Sequence, residues 1–298
     1  MGVLAQRERK WSNMETIRVS TPEDISAQRE LWSLCFGDDG AYVDNFYRTY
    51  YRPDRVLVLE EGGQVRAMTA WFDTRFVIPG QASVPTAYLY AVATHPRCQG
   101  RGLAGALLAW ADQHLGELGM EAVSTVPAQP SLHRFFARNG FQECFTHSQR
   151  TVVPREDGPG AGGLSLVPLS PRQYAALREE RLKGRAHITL DEEALAYQAG
   201  ASALCPGGGL YALTTPCGPA AVCTEGMENG QLLVKEFLAP PGVEEQGEQA
   251  LFPLLPRWSG ILRCPGDAVL FGMVKWLSPK GQAGWDGSQT AYLGLAFD

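Results

Sequence analysis

Eleven residues, Thr94-His95-Pro96-Arg97-Cys98-Gln99-Gly100-Arg101-Gly102-Leu103-Ala104, carry the most chemistry per position in this chain. They stand between a run that reads as a strand, Ala87 to Thr94, and one with helical spacing at Leu103, Leu107, Leu108, Ala111 and Leu115. Glycines at 100 and 102 let successive backbone N–H groups converge on one point, and a helix beginning near Gly102 adds unpaired amides and the positive end of its dipole. That combination is a cradle for a pyrophosphate. Arg97 and Arg101 supply charge that neutralises phosphate without a metal. Seven cysteines contain no C-x-x-C pair and are odd in number, which argues against a zinc site and against a disulfide framework, so no metal is expected.

The stretch Gly100-Arg101-Gly102-Leu103-Ala104-Gly105 also fits the literal G-x-G-x-x-G of dinucleotide folds. Three features oppose that reading. The strand stops several residues before the first glycine, the next strand, Val123-Ser124-Thr125-Val126, has no acid for a ribose, and a hairpin precedes the loop.

The elements that must hold the loop can be read around it. A short strand at Ile17 to Val19 leads to Thr21-Pro22-Glu23-Asp24, which signals a helix start, and the helix after it buries Ile25, Leu31, Trp32, Leu34 and Cys35. A helical stretch from Tyr42 to Tyr51 follows, then a hairpin of Arg55 to Glu60 and Val65 to Val77 about Glu61-Gly62-Gly63. After the loop and its helix come a strand at Ala122 to Val126, a helix at Ser131 to Arg138 and a last strand near Glu143 to Val152.

Arg97-x-x-Gly100-x-Gly102-Leu103-Ala104 resembles the R/Q-x-x-G-x-G/A signature of the GNAT acetyltransferase superfamily. The order of elements agrees with that fold, and Ser131-x-x-x-Phe135-Phe136-Ala137-Arg138-Asn139-Gly140-Phe141 resembles the family's later helix, which usually ends F-Y-x-x-x-G-F. The resemblance implies acetyl-CoA as cosubstrate. Its thioester carbonyl would meet backbone amides near Val92, Ala93 and Thr94, and its pyrophosphate those of Gln99, Gly100, Arg101, Gly102, Leu103 and Ala104. Ser131 and Phe135 would contact the pantetheine arm. Polarising a thioester carbonyl is oxyanion-type stabilisation, so the chemistry depends on backbone geometry more than on side chains.

One departure matters. Where many members have a tyrosine that protonates the leaving thiolate, this sequence has Phe136, and Tyr90 on the strand facing the cleft is the remaining hydroxyl donor, set against a plain half-buried aromatic. A non-catalytic acyl-CoA sensor is therefore the alternative to an enzyme. His95 and His133 read as structural.

With 298 residues, two domains are expected: a disordered leader over 1–16, the GNAT domain over 17–153, a linker over 154–163 rich in glycine and proline, and a second domain over 164–298. Strands and helices in the second part repeat the order of the first. The position matching the phosphate loop there reads Pro240-Pro241-Gly242-Val243-Glu244-Glu245-Gln246-Gly247, whose two acids would repel a pyrophosphate. The expected class is α/β with a mixed sheet, as tandem GNAT folds of which the second is degenerate. That arrangement resembles the enhanced-intracellular-survival type of acetyltransferase without its extra C-terminal domain. There the terminal carboxylate reaches the active site, which makes the terminus at Asp298 a candidate proton acceptor, against an ordinary strand end. Gly207-Gly208-Gly209 precedes a strand and reads as a turn.

A net charge of −6 with the surplus acids in the second half gives no nucleic-acid surface, and no apolar run is long enough for a membrane or a signal core. A cytoplasmic location and a small-molecule or peptide amine as acceptor, cationic by preference, are the expectations. A homo-oligomer stays open.

Overall fold

A computed structural model describes residues 15–153, 163–226, 232–256 and 259–297, with the backbone alone for 9–12. In chain order the elements are β1 (Arg9–Ser12), β2 (Glu15–Val19), α1 (Ile25–Phe36), α2 (Gly40–Thr49), β3 (Val56–Glu61), β4 (Gln64–Val77), β5 (Val84–Thr94), α3 (Leu103–Glu117), β6 (Ala122–Thr125), α4 (Pro130–Arg138) and β7 (Gln142–Val152). They continue as β8 (Leu166–Pro168), α5 (Pro171–Arg181), β9 (His187–Thr189), α6 (Glu192–Ser202), β10 (Gly209–Leu213), β11 (Ala220–Gly226), β12 (Leu232–Leu238), α7 (Glu244–Leu251), β13 (Gly260–Trp276) and α8 (Pro279–Gln282). This is the expected α/β class with a mixed sheet.

Two compact units divide the chain, and neither is continuous in sequence. The first holds residues up to Asp73, Pro85–Gln142 and Val274–Ala283; the second holds Thr74–Val84, Glu143–Met273 and the chain from Gly284.

In the first unit the sheet runs β1-β2-β3-β4-β5-β6 and then the end of β13. β1, β2, β3 and β4 pair antiparallel in succession, and β5 pairs β6 in parallel. Part of the leader that was expected outside the fold is thus a strand, because the open edge of β2 offers unpaired backbone groups that Arg9–Ser12 satisfies. The hairpin β3–β4 turns at Gly62 and Gly63, both at positive φ (59° and 77°), where a side chain would be strained. α3 buries Leu103, Leu107, Leu108, Ala111 and Leu115, the predicted stripe, each worth about 1.5–3 kcal/mol where the side chain is large.

The strand expected to close this first fold, near 143–152, instead lies in the second unit as β7, beside β13. The neighbour of β6 is β13, whose end from Val274 belongs to the first unit, and Leu277 N–H donates to the Glu121 carbonyl at 2.8 Å. Lys275 fixes that segment: its ammonium is paired with Asp112 on α3 and donates to the Asn139 carbonyl at 2.6 Å, just past α4. Period-two alternation identifies a strand but not its neighbour, which is why the pattern alone misassigns both segments.

In the second unit, β12 pairs β13 in parallel, while β8, β10, β11 and β12 follow one another antiparallel. The apolar core gathers Val222, Val234, Phe237, Leu251, Phe252 and Leu262. β9, not foreseen, pairs Arg75–Val77. The run from Ala291, expected as a regular strand, is held by two isolated parallel bridges, Phe145 with Ala291 and His187 with Tyr292, because Gly294 at φ 77° breaks the extended path. Arg178 and Glu236, both fully buried, pair at 3.0 Å, and Arg178 donates to the Leu293 carbonyl at 2.8 Å. Among the described residues no helix is long and apolar enough to cross a membrane.

Candidate active site

β5 is the backbone of the site. Its parallel pairing with β6 runs Thr86–Ala122, Ala87–Val123, Tyr88–Ser124 and Leu89–Thr125. No pair follows among the described residues, although β5 continues through Tyr90, Ala91, Val92, Ala93 and Thr94. β6 stops because Val126 precedes Pro127, which has no N–H to give a ladder. The last residues of β5 therefore run on beyond the end of the β6 ladder. Among them Ala91 sits at φ 51°, the one non-glycine residue at positive φ among the described residues. For an alanine this costs about 1–2 kcal/mol, and such strain persists where surrounding contacts over-determine it. No sequence signal marks Ala91.

From Thr94 the chain enters the loop. His95 Nδ1 accepts the Arg97 N–H at 3.2 Å, so this histidine caps the single turn Pro96–Cys98 and is structural, as expected. The Gln99 side-chain amide donates to the Thr94 carbonyl at 3.2 Å, as does the Cys35 thiol at 3.3 Å. Burial pushes the Cys35 thiol up, so it stays neutral near pH 7.

Gly100 at φ 76° and Gly102 at φ 83° take the left-handed conformation, and Gly102 is the N-cap of the 15-residue α3. A Cβ built on either glycine would meet nothing within 4 Å. Both faces are open, so an anion can reach the amides of Gly102, Leu103 and Ala104, and the donor set fits a pyrophosphate. The Leu103 side chain is turned into the core, leaving its N–H as its contribution.

The two arginines differ. Arg97 is exposed and has no carboxylate partner among the described residues, whereas Arg101 is held by Glu61, with Nη1 at 3.0 Å from Oε2. That ion pair raises the Arg101 guanidinium and keeps the Glu61 carboxyl below the usual carboxylate range. Glu61 sits across the β3–β4 turn, and its pairing with a residue 40 positions on could not be seen from spacing.

Tyr90 is half-buried. Its ring lies 5.3 Å from Trp32, 5.6 Å from Phe72 and 5.9 Å from Phe46, and its hydroxyl is 3.2 Å from the Tyr42 hydroxyl. Its hydroxyl thus belongs to a pair of tyrosines. On α4, Ser131 is exposed and Phe135 half-buried, while Phe136 is buried edge-on to Phe135 and Phe141 at 5.2 and 5.3 Å. Asp298 lies outside the described residues.

The segment 240–247, expected to correspond to this loop, differs. Gly242 N–H is taken by the Glu244 carboxylate at 2.8 Å, so the start of α7 already has its anion. A Cβ on Gly208 would lie 1.9 Å from the Ser202 carbonyl, a close packing that fits a turn and leaves no space for a phosphate. Among the described residues no group of three metal-ligating side chains occurs.

Residues 16–143 match the family model described as an acetyltransferase (GNAT) domain. No curated protein matches the chain. Among solved structures, Eis1 from Mycobacterium abscessus is similar with a TM-score of 0.65 at 14% identity, over 88% of this chain and 74% of that one. A GCN5-related N-acetyltransferase from Anabaena variabilis gives 0.67 at 16%, over 89% and 73%. A putative acetyltransferase from Pyrococcus horikoshii gives 0.61 at 13%, over 98% of each chain. At these identities the structures speak for the fold, and the family model speaks for the domain. Residues 16–143 thus match a GNAT acetyltransferase domain, and the solved structures share the fold of the chain around it.

Proposed function

We propose that the chain transfers an acetyl group from acetyl-CoA to a primary amine of a small cationic molecule. The observation that carries this reading is the continuation of β5 past its last pair with β6, next to a loop whose two left-handed glycines open onto the start of α3. The loop amides of Gln99 to Ala104 and the Arg97 guanidinium would hold the pyrophosphate. Amides of the last β5 residues would hold the acyl oxygen, and Ser131 and Phe135 would flank the pantetheine arm. The amine nitrogen bonds to the acyl carbon, the carbon–sulfur bond breaks, and the surplus proton of the amine leaves while the sulfur gains one.

For the sulfur, Tyr90 is the donor, replenished through Tyr42 at 3.2 Å. The second unit is a degenerate copy without CoA, a reading supported by the Glu244 carboxylate at the start of α7. A cytoplasmic setting belongs to the same proposal. The acceptor's charge rests on the surplus of acids in the second half of the sequence.

The alternative, a non-catalytic acyl-CoA sensor, has one observation in its favour: the buried Phe136 has no hydroxyl to give a thiolate. CoA release measured over a panel of polyamines, aminoglycosides and amino acids decides between them. Turnover on one amine class supports the transferase; tight CoA binding without transfer anywhere on the panel supports the sensor.

A further inference from the structure

Thr69, on β4, is fully buried, and its hydroxyl lies 3.2 Å from the Tyr90 carbonyl and 3.2 Å from the Ala70 carbonyl. A hydroxyl has one proton, so it serves these two oxygens in turn. The Tyr90 carbonyl belongs to the peptide that enters Ala91, the residue at φ 51°. In a trans peptide the C=O and N–H point in opposite directions. A Tyr90 carbonyl turned toward Thr69 on β4 therefore sends the Ala91 N–H to the other side of β5, where β6 has already ended at Thr125. With Ala91 in the left-handed region the next peptide is rotated from its regular strand direction. The local effect resembles a bulge, which re-aims backbone groups at the edge of a ladder.

We infer that Thr69 is a positioning residue for acyl transfer: by holding the Tyr90 carbonyl it keeps Ala91 left-handed and aims the amides that follow, Ala91 and Val92, at the acyl oxygen. This rests on the acetyl-CoA reading above. The bulge is gripped from two directions, the Thr69 hydroxyl taking the Tyr90 carbonyl while Trp32 and Phe72 pack its ring at 5.3 and 5.6 Å. The aromatic contacts fix where the strand lies. The hydroxyl fixes how its peptide is turned, which packing cannot do. A threonine retained only to satisfy its own hydroxyl would have the Ala70 carbonyl for that and no need of Tyr90.

The acetyl carbonyl is what separates acetyl-CoA from CoA at this site, so the ratio of their dissociation constants reads the aim of these amides without any turnover. The full-length protein, Thr69→Val and Thr69→Ser are titrated calorimetrically with each compound, and kcat is measured on whichever amine turns over. Thr69→Val keeps the shape and removes the hydroxyl. It is expected to leave CoA affinity within about twofold, to weaken acetyl-CoA about three- to tenfold, the worth of one neutral hydrogen bond, and to lower kcat by about 10- to 100-fold with little change in amine KM. Thr69→Ser restores all three. Equal weakening of CoA and acetyl-CoA, or an unmoved ratio, overturns the inference and leaves the cofactor reading standing. Wild-type protein that binds neither compound overturns both. If Thr69→Val does not fold, Ala91→Val makes the same test from the strand side, since a β-branched residue resists positive φ, and the same selective loss is expected.

Discussion

Replacing Gly102 by valine separates what the loop costs the protein from what it gives a ligand. Gly102 is the N-cap of α3 at φ 83°, ψ 3°, and an added Cβ meets nothing within 4 Å. No internal clash arises, so the stability cost is conformational: about 1–2 kcal/mol for an L-residue held left-handed, and somewhat more for a β-branched one. In a chain of this length that lowers Tm by only a few degrees. The ligand loses more. A side chain over the start of the helix blocks approach to the Gly102 and Leu103 amides, and two hydrogen bonds to a charged phosphate are worth about 3–6 kcal/mol together, or roughly 10²- to 10⁴-fold in Kd. CoA titration of Gly102→Val and Glu244→Ala, each with a thermal melt, is the assay. A CoA loss no larger than the stability loss, or an equal CoA loss from Glu244→Ala, would refute a cradle confined to the first unit.

Arg97→Met is expected to weaken CoA about tenfold or more, since its guanidinium has no carboxylate partner among the described residues, and Arg101→Met less than about threefold, since Glu61 already holds that charge; the reverse order by titration contradicts the assignment. Asp24 takes two hydrogen bonds from Arg18, at 2.7 and 2.8 Å, which hold its carboxyl below the ordinary value. A depressed carboxylate stabilises above the unfolded pKa, about 3.9, and the benefit fades as pH falls through the folded value; Asp24→Asn should therefore lose about 1–3 kcal/mol at pH 7, with the Tm gap closing only below about pH 4. A gap that instead widens toward low pH would contradict that sign. A fragment of residues 17–153 lacks the 274–283 segment and the Lys275 tie to Asp112, so it is expected to melt without cooperativity; a sharp calorimetric transition together with full CoA affinity would show that segment to be dispensable.

What could be read from the sequence was what is local. The stripe of Leu103, Leu107, Leu108, Ala111 and Leu115 and the two glycines before it depend on neighbours a few positions away, and they appear where expected. Boundaries of α4 and β7 fell within a residue or so for the same reason, Pro130 opening one and Gly140 preceding the other. The features that complete the site are not local. Glu61 reaches Arg101 only after the hairpin has formed, and Ala91 acquires its positive φ from Thr69 and the ring packing about Tyr90, none of which alters the alternation of β5. The exchange of 143–152 for 274–276 is invisible for a further reason: two strands with similar patterns can trade places without changing either pattern.

The segment 274–283 also sets a schedule for the chain as it is made. Everything in the first unit except that segment has been synthesised once Gln142 is added, yet the neighbour of β6 and the cation for Asp112 are still 132 residues away, from 142 to 274. At about 5–20 residues per second this interval lasts roughly 7–26 s. During it β6 has an open edge and Asp112, whose carboxyl is pushed up by burial in the finished fold, has no ammonium beside it. The transferase domain, first in the sequence, is thus among the last parts to be finished, and the long second segment is synthesised while its predecessor is still waiting for a strand.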